Sequence, residues 1–341
     1  MDERAGGANF VAARGADGLN KVTPVHLPRA AVASPSHRQW RWRGGLIAAY
    51  ASGAGIEHAC NEDCCSHFPS AERPRFCGVA DGVGGGAHGE IASSVLLTHC
   101  AQAPKETYCD PPRLIDWLTR ADVQVREAIA RRTDQAGAAT LAAAWFPSQS
   151  TAYLLNVGDC RVYQLKPRTQ GYAIQRLTVD QTYASFAQQP PLNGRADDPA
   201  RMVGAGAVGI PPVVKVQIRA RELLLLCSDG VHKFVSDDQI ADLVADGLSG
   251  GNSLESICDA LVQAARRNGS RDDASALLVL RRPWFTPRWF YGCVVAAVLL
   301  LWCLLAQGEV SPEKTVSPGA EVQSVGERTA RNCRDWTGRW K

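Results

Sequence analysis

Three acidic residues each follow a short apolar run in the sequence. Asp81 follows residues 76–80, Asp159 follows residues 153–157 and a glycine, and Asp229 follows residues 223–227 and a serine. Apolar runs of this length predict strands, and strands that end alike bring their last side chains to a common edge of a sheet. Carboxylates gathered there repel one another unless a cation neutralises them. The pattern therefore predicts a metal centre with oxygen ligands.

Two further acidic clusters strengthen this prediction. Glu62 and Asp63 stand together in CNED, and Asp272 and Asp273 stand together in SRDDAS. An isolated Asp-Gly pair after a strand is usually a turn. The joint occurrence of the clusters, most of them beside a predicted strand, favours chemistry over turns.

Composition bounds the class of protein. The chain has 341 residues, 45% of them hydrophobic, which predicts one catalytic domain with appendages. The net charge is +3 and the basic residues are scattered, so nucleic-acid binding is not expected. The 12 cysteines are irregularly spaced and the N-terminus lacks the apolar core of a secretory signal, which predicts reduced thiols in the cytosol.

The periodicity predicts an α+β domain with short strands and separate blocks of helix. The predicted strands are 46–51, 76–80, 138–146, 152–157, 162–165, 213–218, 222–227 and 274–280. The predicted helices are 90–101, 113–132, 236–245 and 253–267. Gly158-Asp159 is predicted to form a hairpin-like turn, and residues 213–218 and 222–227 a second hairpin.

Seven motifs occur in an order typical of one enzyme family. They are NED at 61–63, VADGVGG at 79–85, GAATLAAA at 137–144, NVGDCRVYQL at 156–165, LTVDQ at 177–181, LLLCSDGV at 224–231 and SRDDAS at 270–275. Residues 46–281 thereby resemble the metal-dependent protein phosphatases of type 2C (PPM family), particularly the bacterial members. The resemblance implies a four-layer α-β-β-α sandwich of two antiparallel sheets flanked by helices. It also implies hydrolysis of phosphoserine and phosphothreonine by a metal-activated water.

The same resemblance implies a role for individual residues at two Mn²⁺ or Mg²⁺ ions. Asp81 resembles the catalytic carboxylate that bridges both ions, and the Gly82 carbonyl resembles a further ligand. Glu62 would complete the shell of one ion. These are hard oxygen donors of the kind that such ions prefer.

The second ion and a third are implied in the same way. Asp229 and Asp272 would hold the second ion, and Asp159 with Asp229 would support a third, more weakly bound ion. Asp63 would act through a metal-bound water. Asp273 stands where the family usually has Asn, which leaves Asp272 and Asp273 as alternatives for the ligand.

Some positions that handle substrate in the family differ here. His58 stands where relatives have an arginine that grips the phosphate, and Gly86 and Gln181 stand where relatives have histidine. His58 is predicted to contact the substrate phosphate; alternatively it packs beside Cys60, and Arg73 or Arg75 binds the phosphate. These changes also suggest a different class of protein, a catalytically weak or inactive phosphoprotein-binding pseudophosphatase on the membrane.

The sequence disfavours two other classes of ligand, a dinucleotide and zinc. Residues 82–87 fit the GxGxxA dinucleotide fingerprint, but Asp81 would then face the pyrophosphate. A zinc site is suggested by residue type alone, and the spacing matches no common zinc finger. Its residues would be His58, Cys60, Cys64, Cys65, His67 and Cys77.

The C-terminal part carries an uncharged apolar run at residues 289–306, preceded by arginines. At about 1.5 Å per residue, this run is long enough to cross a bilayer core of roughly 30 Å. The positive-inside rule then predicts a single-pass protein of the cell inner membrane with a cytoplasmic phosphatase domain. The predicted divisions are a flexible leader (1–39), the domain (40–282), a basic linker (283–288), the span (289–306) and a tail (307–341). Phosphorylated proteins and a cognate Ser/Thr kinase are the partners that the resemblance implies.

Overall fold

A computed structural model describes residues 36–41, 45–56, 60–68, 75–83, 88–282 and 295–302. The chain divides into two units, Met1–Trp284 and Phe285–Lys341. In the second unit, residues 295–302 form a helix with exposed side chains. Within the described ranges, no helix is both long and apolar enough to span a membrane. The remainder of the predicted span, the linker at 283–288 and the tail at 307–341 lie outside these ranges.

The described residues of the first unit form two antiparallel sheets and six helices. The strands are β1 Ser36–Arg41, β2 Leu46–Gly53, β3 Cys64–Phe68, β4 Arg75–Val83, β5 Ala138–Phe146, β6 Thr151–Val157, β7 Arg161–Pro167, β8 Tyr172–Arg176, β9 Val214–Gln217, β10 Leu223–Cys227 and β11 Ala274–Arg281. The helices are α1 Gly89–Ala101, α2 Lys105–Tyr108, α3 Pro111–Ala130, α4 Asp229–His232, α5 Asp237–Ser249 and α6 Leu254–Arg267. The strand orders are β1-β2-β11-β10-β7-β8 and β3-β4-β5-β6-β9.

These elements form four layers, α-β-β-α, as the family resemblance implied. Side chains such as Tyr50, Val79 and Leu226 fill the core between the two sheets. A second core joins α1 and α3 to the five-stranded sheet, and a third joins α5 and α6 to the six-stranded sheet. Strands β2, β5 and β10 are buried along their whole length. A strand covered on both faces has no polar side, which explains their unbroken apolar runs.

Both predicted hairpins are wrong. Gly158 and Asp159 connect β6 of the five-stranded sheet to β7 of the six-stranded sheet, and β9 to β10 makes the same kind of crossing. Gly158 has φ +88°, and a Cβ there would lie 2.6 Å from the Thr140 side chain. Turn residues in a sequence predict a reversal of the chain, but not whether the next strand joins the same sheet. The crossing at Gly158 places Asp159 between the two sheets.

Two predicted boundaries also differ from the structure. Strand β1 begins at Ser36 and pairs with β2 along its length, so the predicted leader at 1–39 extends four residues too far. Strand β4 continues to Val83. Asp81 therefore lies inside a strand, opposite Thr140 of β5, and not at its end. The backbone of Ala138 and Ala139 extends the pairing past the predicted end of the strand.

Candidate metal centre

Asp81 lies on β4 at the centre of a cluster of acids from both sheets. Burial raises the pKa of its carboxyl well above the usual range, and four neighbouring carboxylates raise it further. Those neighbours are Asp63, Asp229, Asp159 and Asp272. The acids are therefore neighbours, but they meet between two sheets and not, as the sequence had predicted, at the common edge of one sheet.

Glu62 lies against the beginning of α1, beside the strand that carries Asp81. A Cβ at Gly89 would come within 2.4 Å of Glu62 Oε2, and a Cβ at Gly82 would come within 2.4 Å of the Gly89 backbone. The backbone of Glu62 is held as well, because Ser93 Oγ donates a hydrogen bond of 2.7 Å to its carbonyl. The close approach of β4, α1 and Glu62 requires glycine at both positions.

Asp273 has a structural task that distinguishes it from Asp272. Its two carboxylate oxygens accept backbone N–H bonds, from Gly55 at 2.5 Å and from Glu62 at 2.6 Å. Asp272 Oδ1 accepts the N–H of Asp273 at 2.9 Å, and its charge raises the pKa of Asp81. Asp273 therefore ties the loops at Gly55 and Glu62 together.

Asp63 is 3% exposed and is held by a chain of serines. Ser228 Oγ donates to Asp63 Oδ2 at 2.7 Å, and Ser228 Oγ itself accepts the Ser275 N–H at 2.9 Å. The other oxygen, Oδ1, is buried and has no hydrogen-bond partner within the described part of the chain. Burial and the nearby Asp273 raise the pKa of Asp63 well above the usual range. An oriented buried acid with one free oxygen is suited to hold a water molecule or a proton.

Asp229 and Asp159 form a pair that is bridged by Lys233. Lys233 Nζ donates to Asp229 Oδ2 at 2.6 Å and to Asp159 Oδ2 at 3.3 Å. Burial and the charge of Asp229 raise the pKa of Asp159 to about 7. Burial also opposes ionisation of Asp229, but Lys233 outweighs it and lowers the pKa of Asp229. Asp229 Oδ1 is buried and, among the described atoms, has no hydrogen-bond partner.

Sequence reasoning missed Lys233, although a signal was present. Lys233 lies four residues after Asp229, and in a helical turn such residues are neighbours. The preceding residue holds the turn α4 in place, because His232 Nε2 lies 2.9 Å from the Asp159 carbonyl oxygen.

The acids fit a hydrated ion better than a closed protein shell. Within the described ranges, no three or more His, Cys, Asp or Glu side chains form a group that could hold a metal ion. Mg²⁺ and Mn²⁺ commonly keep several waters and use few carboxylates. The unpartnered buried oxygens of Asp63 and Asp229, and the mutual repulsion at Asp81, fit such an ion.

The cysteines near the site do not support the zinc alternative. Burial and the nearby Asp63 raise the pKa of Cys64 to about 12, and burial raises that of Cys77 well above its usual value. These thiols stay protonated at neutral pH, whereas zinc binds the thiolate. His58 lies outside the described residues, as does the side chain of His67.

Of the three positions that differ from the family pattern, the described part of the chain includes Gln181. Gln181 is buried, and its Nε2 donates to the Asn156 carbonyl at 3.1 Å while its backbone N–H donates to the Gly158 carbonyl at 2.9 Å. Gln181 therefore supports the turn that carries Asp159. His58 and Gly86 lie outside the described residues, so their predicted roles remain predictions.

The segment at 182–213 is anchored to the five-stranded sheet and to α3. Val203 exchanges two backbone hydrogen bonds with Ala139, at 2.8 and 2.9 Å. Asp122 of α3 accepts the N–H groups of Gly204 at 2.7 Å and Gly206 at 3.0 Å. This anchor holds the segment next to Thr140, the strand partner of Asp81.

Comparison with known families decides the family of this chain. The profile described as Stage II sporulation protein E (SpoIIE) matches residues 75–283, more than half of the 341 residues. The chain belongs to the SpoIIE family. This SpoIIE-family protein is 26% identical over 235 residues to the "Serine/threonine phosphatase stp" of Listeria monocytogenes, covering 65% of this chain and 90% of that one.

Two further comparisons agree. The SpoIIE-family chain is 28% identical over 248 residues to the "Serine/threonine protein phosphatase PstP" of Mycobacterium tuberculosis, covering 68% of this chain and 45% of that one. The catalytic domain of PstP, solved in complex with two manganese ions, superimposes with a TM-score of 0.55 at 24% identity. The superposition covers 70% of this chain and 99% of that domain, and it confirms the predicted fold of two antiparallel sheets flanked by helices. The predicted resemblance to type 2C phosphatases is likewise confirmed.

Proposed function

We propose that this chain is a metal-dependent serine/threonine protein phosphatase that hydrolyses phosphoserine and phosphothreonine in proteins. The observation that carries the proposal is the meeting of Asp81 from one sheet with Asp229 from the other. In the same acidic cluster, the buried oxygens Asp63 Oδ1 and Asp229 Oδ1 lack hydrogen-bond partners within the described residues. The named phosphatases to which the chain is similar support the same activity.

The proposed ligands fall into two groups around Asp81. Glu62 and the Gly82 carbonyl lie on the α1 side, and Asp229 and Asp272 lie on the side of the six-stranded sheet. When bound, Mn²⁺ or Mg²⁺ ions lower the pKa of a water and offset negative charge on the phosphate. Asp81 would contribute the carboxylate shared by both groups.

Asp63 and Ser228 would orient the attacking water. Ser228 fixes Asp63 Oδ2, so the unpartnered Oδ1 can accept a proton of a water beside Asp81. Asp63 would thereby hold the water in line with the phosphorus–oxygen bond to be broken.

Hydrolysis of a phosphothreonine peptide tests this function. We expect release of phosphate with Mn²⁺ or Mg²⁺ and its loss when a chelator is added, because the carboxylates alone repel the phosphate dianion. Peptide binding without phosphate release at saturating Mn²⁺ would favour the pseudophosphatase instead.

We also propose that His58 contacts the substrate phosphate. Neutral imidazole offers a single donor, whereas a guanidinium makes two charge-assisted hydrogen bonds. The variant His58→Arg should lower KM for phosphopeptides. An unchanged KM in both His58→Arg and His58→Ala would contradict the contact.

We further propose that residues 289–306 anchor the protein in the inner membrane, with the domain in the cytoplasm and a cognate Ser/Thr kinase as partner. The support is the uncharged run and the exposure of its apolar side chains, such as Leu300 at 63% and Trp302 at 69%. Fractionation should find the full chain in membranes and a variant ending at residue 282 in the soluble fraction. Recovery of both in the soluble fraction would contradict the anchor.

A further inference from the structure

Lys233 places an ammonium group against two acids of the candidate metal centre. Its Nζ lies 2.6 Å from Asp229 Oδ2 and 3.3 Å from Asp159 Oδ2. The side chains of Asp159 and Asp229 are 4% and 15% exposed, and that of Lys233 is 37% exposed. The cation thus reaches a nearly buried pair from its more exposed side.

The two oxygens of Asp229 have different surroundings. Oδ2 accepts the bond from Lys233, whereas Oδ1 is buried without a partner within the described residues. Asp229 can therefore offer Oδ1 to an ion shared with Asp81 while Oδ2 stays on the lysine. Asp159 also contacts Lys233 through Oδ2, at the longer distance of 3.3 Å.

The Lys233 ammonium group and a divalent ion cannot both bind the Oδ2 atoms of Asp229 and Asp159. An ion bound to Asp229 Oδ2 and Asp159 Oδ2 would lie within a few ångströms of Nζ, since Nζ contacts both oxygens. Like charges at that distance repel strongly in a partly buried site. One cation already neutralises part of the charge of the pair, which removes the main reason for a further ion to bind there.

We propose that Lys233 takes the place of a third divalent ion at Asp159 and Asp229, so that this protein holds two ions and not three. The proposal rests on the proposed function, because it concerns the same acidic cluster. Lys233 is then a positioning residue: it fixes Asp229 Oδ2 and leaves Oδ1 for the ion shared with Asp81. Because its charge is covalently attached, the state of the Asp159–Asp229 pair does not depend on the concentration of free metal.

Counting bound Mn²⁺ tests the proposal without relying on activity. Equilibrium dialysis of the full chain against saturating Mn²⁺, followed by metal analysis, gives the number of ions in each variant. We expect two ions in the wild type, three in Lys233→Gln and two in Lys233→Arg, which keeps the cation. Lys166→Gln is the matched control, because Lys166 is exposed near the end of β7 and its Nζ donates to Gln175 Oε1 at 3.4 Å; it should bind two ions.

The outcomes separate this inference from the function on which it rests. Three ions in the wild type, or two in a folded Lys233→Gln protein, would overturn the role of Lys233 and leave the phosphatase assignment intact. A wild type that binds no Mn²⁺ would contradict the proposed function together with this inference. Should Lys233→Gln fail to fold, the wild type and Lys233→Arg still decide, since a third ion in either overturns the proposal.

Discussion

The acids of the site store repulsion that protons relieve when no ion is bound. Asp63, Asp81 and Asp159 all have raised pKa values, with burial as the largest cause in each case. The folded protein without metal therefore binds more protons than the unfolded chain in the weakly acidic range. Metal binding must release these protons, because the ligands act as carboxylates.

The pH dependence of stability follows from Asp159. Its pKa is about 7 in the folded protein and about 3.9 in an unfolded chain. Between these values the folded state holds the extra proton, so the stabilisation is present at low pH and is lost as pH rises towards 7. Urea denaturation of metal-free protein should show stability falling by up to about 1.4 kcal/mol per pH unit from this group. The slope should shrink in Asp159→Asn; an equal slope in both proteins would contradict the assignment.

Substitution by Asn should mainly lower stability at Asp273 and mainly weaken Mn²⁺ binding at Asp272. Asp273→Asn replaces an acceptor of a backbone N–H by an amide donor, so we expect a loss of about 1–3 kcal/mol in stability. Asp272→Asn should weaken Mn²⁺ binding and cost less stability than Asp273→Asn, because Asp272 Oδ1 accepts the N–H of the adjacent residue, whereas Asp273 joins two distant loops. Urea denaturation and Mn²⁺ titration of both variants test this pair. Full stability in Asp273→Asn would refute its structural role.

Among the elements, the segment at 182–213 is tied to α3 by the side chain of Asp122 and to the five-stranded sheet by the backbone of Val203. Asp122→Ala would leave the N–H groups of Gly204 and Gly206 without their acceptor. We expect faster hydrogen exchange at these amides and a loss of about 1–3 kcal/mol in stability. Asp116→Ala, an exposed position on the same helix, is the control and should leave exchange unchanged. Equal exchange in both variants would show that the anchor is dispensable.

The elements show which parts of the fold a sequence can reveal. Strands β2, β5 and β10 were predicted because burial on both faces demands unbroken apolar runs. Strands β1, β3 and β8 were missed; each lies at the edge of a sheet and lacks the unbroken apolar run of a central strand. The crossing at Gly158 was read as a hairpin because the sequence marks a turn but not the sheet that follows.

The candidate site was predictable where chemistry alone fixes the residue type. The acids from Glu62 to Asp272 were all named from the sequence. Lys233, Ser228 and Asp122 were not, because each acts through a contact that depends on how distant segments pack. The sequence likewise did not reveal that Asp273 accepts the backbone N–H groups of Gly55 and Glu62.

In the molecule as a whole, the two sheets bring their acids together to form a metal-dependent phosphatase. Each sheet alone carries an incomplete set, with Asp81 on one side and Asp229 on the other. Asp81 interacts with acids from both sheets, since four neighbouring carboxylates all raise its pKa. Its removal should therefore affect the reaction more than the fold.

The role of the Asp81 carboxylate is tested by measuring Mn²⁺-dependent turnover of a phosphothreonine peptide by Asp81→Asn. Asparagine keeps the shape but removes the charge, so we expect at least a hundredfold loss of kcat with an unchanged circular dichroism spectrum. Asp246→Asn, an exposed change on α5, is the matched control and should retain wild-type turnover. Wild-type turnover in a folded Asp81→Asn protein would contradict the account.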